Sequence, residues 1–395
     1  MVIKSKAPAA DIPLFLLVIP LIAARGFARI DSFWLGFLPR LLSISICGLI
    51  AAANHRKLSA MFWLLLGYSV YGWMVTLLTN PGQIIHRDLL ICLTTLAFCA
   101  LLDVCIKQNS PRFIKTMFLA YTFLCILNYV IRFNAASALH YAEDVFLLGH
   151  RNELPVVYFF WVLISCLYFQ YTRRSAKVYF HAAFWINLFI FAALKTGGAL
   201  ASAAVMLMIL YAKPGIRCCK AILPLAFIAI FLFAFFRVQG YFSYIITSVL
   251  YRNLTLTSRI YIWDAYIDLI RRKPLYGYGY GEVYIAAIGG AAHPHNFALK
   301  LLYSGGVIAV VFFISMAFVM GGKLFQVKSR RVYVPLLTVI TGLLICGISG
   351  SLDGGCQIFP AMLLGYHAPL INQYKLEIIA NEDQPNDGQK MHEHP

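Results

Sequence analysis

Residues 299–321 read LKLLYSGGVIAVVFFISMAFVMG, an apolar run with almost no charge. A helix needs about 20 predominantly apolar residues to cross the hydrocarbon core of a bilayer. This run has that length and composition, and runs of the same kind occur from one end of the chain to the other. The stretch therefore predicts a transmembrane helix, and its repetition predicts a chain that crosses the membrane many times.

The composition excludes an ordinary soluble protein. Hydrophobic residues make up 61% of the 395 residues and charged residues only 12%, whereas soluble domains carry about 25% charged residues. The net charge of +17 does not indicate nucleic-acid binding, because the Lys and Arg residues stand in short clusters between apolar runs rather than on one basic face. Such clusters instead fix the orientation of a membrane protein.

The apolar runs predict an all-α, polytopic membrane protein with about 12 transmembrane helices. Residues 1–372 would form this transmembrane domain. Residues 373–395 are polar and acidic and lack apolar periodicity, so we expect a disordered cytoplasmic tail there. The candidate spans are residues 12–24, 33–53, 60–79, 86–106, 113–133, 155–172, 178–194, 197–212, 220–236, 299–321, 332–349 and 356–371.

Positive charge alternates between the connectors of these spans. Lys and Arg are concentrated in every second connector, for example at Arg173, Arg174 and Lys177, and are fewer in the intervening ones. Because cytoplasmic loops carry the excess of positive charge, we expect both termini in the cytoplasm of a multi-pass protein of the inner (plasma) membrane. The long segment 238–297 then lies outside, as a large extracytoplasmic loop.

A short amphipathic helix is predicted inside this loop. Residues 258–272, SRIYIWDAYIDLIRR, alternate apolar and polar side chains at helical spacing, and Lys273-Pro274 ends the run. Residues 274–281, PLYGYGYG, follow with a glycine at every second position. Two interpretations of these glycines stay open: a flexible aromatic turn on the membrane surface, or a backbone that passes close to another element.

Two histidines, His293 and His295, stand just before the run at 299–321. Three interpretations are open for the pair: a metal site, bonding of the rings to loop backbone, and proton transfer by an imidazole near neutral pH. A zinc site needs three or four ligands, and no obvious Cys or carboxylate nearby in the sequence completes one. We therefore expect no metal and no cofactor.

Other polar residues fall near the same predicted face of the membrane. Arg259 heads the amphipathic helix, and Arg151, Lys195 and Asp353 lie in extracytoplasmic connectors. Each of them alone would be a solvated loop residue, whereas together they would surround one cavity with positive charge. Such a cavity suits an anionic ligand, and a diphosphate is a natural candidate.

The motifs described above, in the order in which they occur along the chain, resemble those of the O-antigen ligase and polymerase superfamily of polytopic membrane enzymes. The span count and the position of the large loop extend the likeness to most of the chain. The resemblance implies a GT-C-like fold and a glycosyltransferase activity. The residues that carry it are Ser258-Arg259, Trp263-Asp264, the run 274–279, His293-Pro294-His295-Asn296 and, after nine intervening residues, Gly306.

The resemblance also implies substrates and roles. The donor would be a glycan on a polyprenyl diphosphate, and the acceptor would be a hydroxyl of another glycan, either a lipid-linked repeat or the lipid A core. His295 would be the general base, with Asn296 and Asp353 as further catalytic residues. The reaction would need no metal and would invert the anomeric carbon. The expected substrate-binding residues are Arg259, which would hold the diphosphate, His293, Lys195 and Arg151.

Two departures bear on the choice between polymerase and ligase. Lys195 stands where ligases carry an Arg, and Ala309 stands where the ligase pattern expects Gly or a similar residue. Both favour a polymerase slightly. A transporter or flippase of lipid-linked oligosaccharides is the alternative, although that class places polar residues near mid-membrane. The expected partners are the bilayer, the two glycans and other proteins of polysaccharide assembly, in lipopolysaccharide or capsule synthesis, and not nucleic acid.

Overall fold

The computed structural model describes much of the predicted transmembrane domain and part of the large loop. The predicted span 178–194 lies mostly outside the described residues, and so does the tail 373–395. The described residues are 12–23, 34, 37–79, 86–130, 132–133, 145–150, 153–171, 184–186, 188–189, 196–212, 215–236, 244, 248, 259–281, 283–285, 290–348 and 357–374.

Helices dominate this part of the chain, as the apolar runs predict. A short 3-10 turn, His55–Lys57, leads from the second helix to the third. The α-helices are α1 (Ile12–Ile22), α2 (Leu38–Ala53), α3 (Ala60–Thr79), α4 (His86–Val130), α5 (Leu154–Tyr171), α6 (Gly197–Ala212), α7 (Ile216–Phe235), α8 (Arg259–Arg272), α9 (Phe297–Leu324), α10 (Arg330–Cys346) and α11 (Ile358–Tyr366).

Two small antiparallel sheets depart from the purely helical expectation. The first has the strand order β1-β2-β3 between α4 and α5, and the second is a hairpin of β4 and β5 in the large loop. In the hairpin Val283 lies opposite Ala292, and Ile285 opposite Gly290. Strands this short escape an argument from periodicity. They are β1 (Arg132–Phe133), β2 (Val145–Phe146), β3 (Gly149–His150), β4 (Val283–Ile285) and β5 (Gly290–Ala292).

Several helices have the composition of membrane spans. Four segments are long and apolar enough to cross a bilayer: Ala60–Thr79, Leu89–Asn128, Leu154–Tyr171 and Phe297–Leu324. Shorter apolar helices accompany them, among them α1, α2 and α6. A chain with this many apolar helices fits a polytopic membrane protein, while the total of about 12 spans stays a prediction.

The fourth and fifth predicted spans form one interrupted helix, α4. Its backbone leaves the helical region at Asn109 (φ −160°, ψ 85°), two residues before Pro111. Proline disfavours helix in the residue before it and lacks the amide proton that would continue the ladder. The Asn109 side chain accepts a hydrogen bond from the Arg112 amide at 3.1 Å and so caps the second half. The two predicted spans are therefore the two halves of α4.

A buried carboxylate joins three helices near this interruption. Asp103 is fully buried, and its Oδ1 lies 2.6 Å from His367 Nε2 and 3.0 Å from Lys107 Nζ. Its Oδ2 accepts a 2.6 Å hydrogen bond from the Ser59 amide, just before α3. A buried charge is tolerated when it is paired and hydrogen-bonded on all sides, and Asp103 thereby ties α4 to α3 and to the end of α11.

Helix α9, which contains the stretch 299–321, is broken at Gly306. This residue has φ 62° and ψ −157°, a region that only glycine enters without strain. The break frees two carbonyls and two amides of one helical turn, because the amides of Val307 and Ile308 would otherwise donate to the carbonyls of Tyr303 and Ser304. In apolar surroundings each freed group needs a new partner.

Residues 274–281, which we name the glycine segment, supply all four partners. The segment lies beside the break and pairs with both sides of the opened turn. The exchanged hydrogen bonds run from the Tyr278 amide to the Tyr303 carbonyl (2.7 Å), from the Gly279 amide to the Ser304 carbonyl (2.9 Å), from the Val307 amide to the Pro274 carbonyl (2.9 Å) and from the Ile308 amide to the Leu275 carbonyl (3.3 Å).

The opposite edge of the glycine segment contacts α3. A Cβ on Gly279 would lie 2.4 Å from the Cα of Thr76, and the Tyr280 amide donates to Thr76 Oγ1 at 2.8 Å. The Thr79 hydroxyl donates to the Tyr278 carbonyl at 2.6 Å. The interpretation as a flexible surface turn is therefore wrong: the glycines let this backbone pass between α3 and α9.

We predict that Gly306→Ala destabilises the protein by at least about 2 kcal/mol, since the substitution adds backbone strain and a steric clash. The added Cβ would lie 2.2 Å from the Leu275 carbonyl oxygen. The matched control is Gly322→Ala in the same helix, where no atom lies within 4 Å of an added Cβ. Thermal unfolding of the purified protein in detergent checks this, and equal melting temperatures for the two variants would contradict it.

Candidate functional site

Helix α8 forms because its apolar residues share one face. The buried residues are Ile262, Trp263, Tyr266 and Ile270. The last three follow Ile262 by one, four and eight positions, which places all of them on one apolar stripe of the helix. This stripe packs on Leu299 and Tyr303 of α9 in a small core of its own, separate from the main cluster of the helical bundle. The helix therefore lies along the first half of α9. Residues 293–296, which we name the histidine motif, come directly before α9.

The indole of Trp263 binds the histidine motif directly. Its Nε1–H donates a 2.8 Å hydrogen bond to the carbonyl of Pro294, and both groups are buried. Buried indole nitrogens usually find such a partner. The bond fixes the peptide between His293 and His295 relative to α8.

His295 has an unusual backbone. Its φ is 48°, the only positive φ at a non-glycine position among the described residues. Strained backbone of this kind concentrates at functional sites. The His295 amide donates to Nδ1 of His293 at 3.2 Å, and the two rings meet edge to face with centroids 5.6 Å apart. His293 thus makes the contact to loop backbone that was one interpretation of the pair, and both rings are partly exposed.

Asn296 fixes the end of the histidine motif by side-chain hydrogen bonds. It is fully buried, and its Oδ1 accepts the Leu299 amide at 3.1 Å as the N-cap of α9. Its Nδ2 donates to the carbonyls of Ile230 in α7 (3.3 Å) and Ile348 after α10 (3.2 Å). All these bonds hold the backbone next to His295, so this geometry is that of a positioning side chain.

Arg259 is the first residue of α8, one helical turn before Trp263. Residues four apart lie on the same face of a helix, so Arg259 and the Trp263 indole that binds Pro294 face the same side. Helix α10 ends at Cys346. The neighbouring Gly347 carbonyl accepts the Phe297 amide at 2.9 Å. The Trp263–Pro294 bond thus places the start of α8, where Arg259 lies, beside the start of α9, and the Phe297–Gly347 bond places the start of α9 beside the end of α10.

The sequence motifs did not indicate one buried cation, Lys300. Lys300 is only 7% exposed, and its amide bonds to the Asn296 carbonyl at 3.0 Å in the first turn of α9. Lysine is almost never this buried without a specific interaction. The signal was available, since Lys300 is the single charged residue in the run 299–321.

Three predicted site residues lie outside the described residues: Arg151, Lys195 and Asp353. Their places in the site stay predictions. Within the part of the chain that is described, no group of three or more His, Cys, Asp and Glu side chains is arranged to hold a metal ion.

The segment that contains this corner matches a known family. Residues 181–314 match the family model described as O-antigen ligase. This supports the O-antigen ligase and polymerase superfamily. The resemblance that the sequence motifs suggest is thereby confirmed. Among curated proteins, none matches the chain.

The matched segment, residues 181–314, includes α6, α7, α8, the glycine segment and α9 past its break at Gly306. It therefore contains Arg259, His293, His295 and Asn296, and it leaves α1–α5, α10 and α11 outside. The match supports an O-antigen ligase-type function in general, and with the apolar helices it indicates a membrane protein. Nothing in it supports the alternative of a transporter or flippase.

We predict that Trp263→Phe loosens the histidine motif, because it leaves the buried Pro294 carbonyl without its 2.8 Å partner. Amide hydrogen exchange at His295 and Phe297 should become about fivefold faster or more, in keeping with about 1 kcal/mol for a buried hydrogen bond. Trp63→Phe is the control, since Trp63 is 48% exposed on α3. Unchanged exchange in the Trp263 variant would show that this bond does not hold the motif.

Proposed function

We propose that this chain is a membrane glycosyltransferase of the O-antigen polymerase or ligase type. It transfers a glycan from a polyprenyl diphosphate to a hydroxyl of a second glycan at the extracytoplasmic face. The observation that carries the proposal is the shared corner of α8 and α9: the helix that begins with Arg259 binds, through Trp263, the peptide next to His295. This corner lies inside residues 181–314, which match the O-antigen ligase family model.

His295 acts as the general base. Its imidazole takes the proton of the acceptor hydroxyl while the hydroxyl oxygen attacks the anomeric carbon of the donor. A histidine titrates near neutral pH and is suited to this step. Its partial exposure and its strained backbone support the role, because a base has to reach the substrate from a fixed position.

Arg259 stabilises the leaving group. As the new bond to the acceptor oxygen forms, the bond from the anomeric carbon to the diphosphate breaks, and its electron pair stays on the lipid diphosphate. A guanidinium pairs with two phosphate oxygens at once, and fixed positive charge lowers the energy of the departing anion. Attack opposite the leaving group inverts the anomeric carbon, and the transfer requires neither metal nor cofactor.

Within this class we favour a polymerase slightly, with lipid-linked repeats as both substrates. Lys195 in place of the ligase Arg and Ala309 at the end of the motif support that preference. The proposed location is the inner (plasma) membrane with both termini in the cytoplasm, where the protein would work with other proteins of lipopolysaccharide or capsule assembly. Asp353 keeps its proposed catalytic role, Asn296 positions His295, and Arg151, Lys195 and His293 keep their proposed roles in binding the substrate.

We predict that His295→Asn lowers the transfer rate by at least about 100-fold, the usual contribution of a general base. Asparagine tolerates the positive φ of 48° at this position, so the variant removes the base and keeps the backbone. The measurement is product formation from lipid-linked glycan by protein in vesicles with excess chelator, which also tests the metal independence.

The control is His55→Ala, because His55 is exposed in the turn before α3. A His295→Asn variant that keeps its activity would exclude His295 as the base. The product separates the two enzyme types, since a polymerase yields a ladder of repeats and a ligase a single transfer to lipid A core.

We predict that Arg259→Ala lowers kcat/KM for the donor by about tenfold or more, because the diphosphate loses its charge-assisted contact, and that Arg259→Lys falls between. The KM of the acceptor should change little. Arg271→Ala is the control at the far end of α8, where Arg271 is 77% exposed and pairs with Asp268 at 3.5 Å. Equal losses toward donor and acceptor would argue against a diphosphate role.

A further inference from the structure

We propose that the glycine segment is the element that sets the distance between the two halves of the site, and that Thr76 of α3 is a positioning residue for the transfer. This inference rests on the proposed function, since it concerns the separation of Arg259 on α8 from His295 before α9. Thr76 lies far from both in the sequence and contacts the glycine segment through its side chain.

Helix α8 is held at two places. Near its beginning, Trp263 donates to the Pro294 carbonyl at 2.8 Å. At its end, backbone hydrogen bonds connect the helix to the glycine segment. The Lys273 amide donates to the Leu269 carbonyl at 3.3 Å, and the Gly277 amide donates to the Lys273 carbonyl at 3.1 Å. A shift of the glycine segment along α9 would therefore move α8, and Arg259 with it.

One aromatic side chain connects all three parts. The ring of Tyr303 in α9 meets Tyr266 of α8 edge to face at 4.8 Å and stacks on Tyr278 of the glycine segment at 5.4 Å. Lys273 Nζ lies 4.6 Å from the centre of the Tyr278 ring. Edge-to-face and offset-stacked arrangements are the favoured geometries of aromatic pairs, so α8 and the segment are seated on α9 by side chains as well as by backbone.

Thr76 holds the far edge of the segment. Its hydroxyl accepts the Tyr280 amide at 2.8 Å and donates to the Gly72 carbonyl of its own helix at 2.8 Å. The residue is 2% exposed, so no water replaces either contact. A hydroxyl is one of the few groups that can accept and donate at once in this way. The bond therefore links α3, through the segment, to the position of α8.

This arrangement predicts an effect on the chemical step rather than on binding. Arg259 contacts the donor and His295 the acceptor, so each substrate still finds its own group when α8 shifts. The reacting atoms, however, lose their alignment, and a misplacement of about 1 Å can lower a rate by about 100-fold. We expect kcat to fall while both KM values stay nearly constant.

The experiment compares three variants of the full-length protein in vesicles. Thr76→Val keeps the shape and removes the hydroxyl, and Thr76→Ser restores the hydroxyl. Thr95→Val is the matched control, since Thr95 is 7% exposed and its hydroxyl donates within its own helix, to the Ile91 carbonyl at 2.9 Å. Transfer kinetics, melting temperature and amide exchange of residues 259–281 are measured for each.

The proposal expects kcat to fall about tenfold or more in Thr76→Val, with both KM values within about twofold. Amide exchange in α8 should rise in the same variant, Thr76→Ser should recover both properties, and Thr95→Val should change neither. An unchanged kcat in Thr76→Val overturns it, and so does a loss that Thr76→Ser does not recover. If folded wild-type protein transfers no glycan, the proposed function fails instead. The amide-exchange data then test only the coupling between Thr76 and α8. Unchanged amide exchange in α8 of Thr76→Val overturns that coupling.

Discussion

A peptide group buried among apolar side chains has to keep a hydrogen bond. Where the helical hydrogen bonds of α9 are broken, bonds to another segment of the chain replace them. At Gly306 the helix opens one turn, and the glycine segment takes over both carbonyls and both amides that the opening releases. Irregular backbone survives in such surroundings only where protein covers it. The break therefore exists only together with the glycine segment, and the two are one structural unit.

Two neighbouring side chains explain how His295 can keep a strained backbone. A histidine at φ 48° costs free energy that the surrounding structure has to supply. Here Asn296 fixes the following peptide to α7 and α10, and Trp263 fixes the preceding one to α8. The conformation of His295 is thus determined from both sides, by contacts that do not use its own ring.

The sequence predicted the bounds of several apolar helices well and the irregularities within them poorly. The predicted spans 60–79 and 197–212 agree with α3 and α6, because an apolar run bounded by polar connectors has only one way to fit a bilayer. The break at Gly306 left no trace in hydropathy, since its cause is a segment nearly thirty residues earlier in the chain. Motif order sufficed to propose His295 and Arg259 as site residues, whereas Thr76 and the bond of Trp263 depend on tertiary contacts.

The β4–β5 hairpin stands between two fixed points, the glycine segment before it and Pro294 after it. Its strands pair with each other, so extra residues between Ile285 and Gly290 need not pull on either anchor. Loops with such bracing tolerate insertions best. Evolution, or an engineer adding an epitope tag, therefore has a place where residues can be inserted while the backbone on either side keeps its geometry.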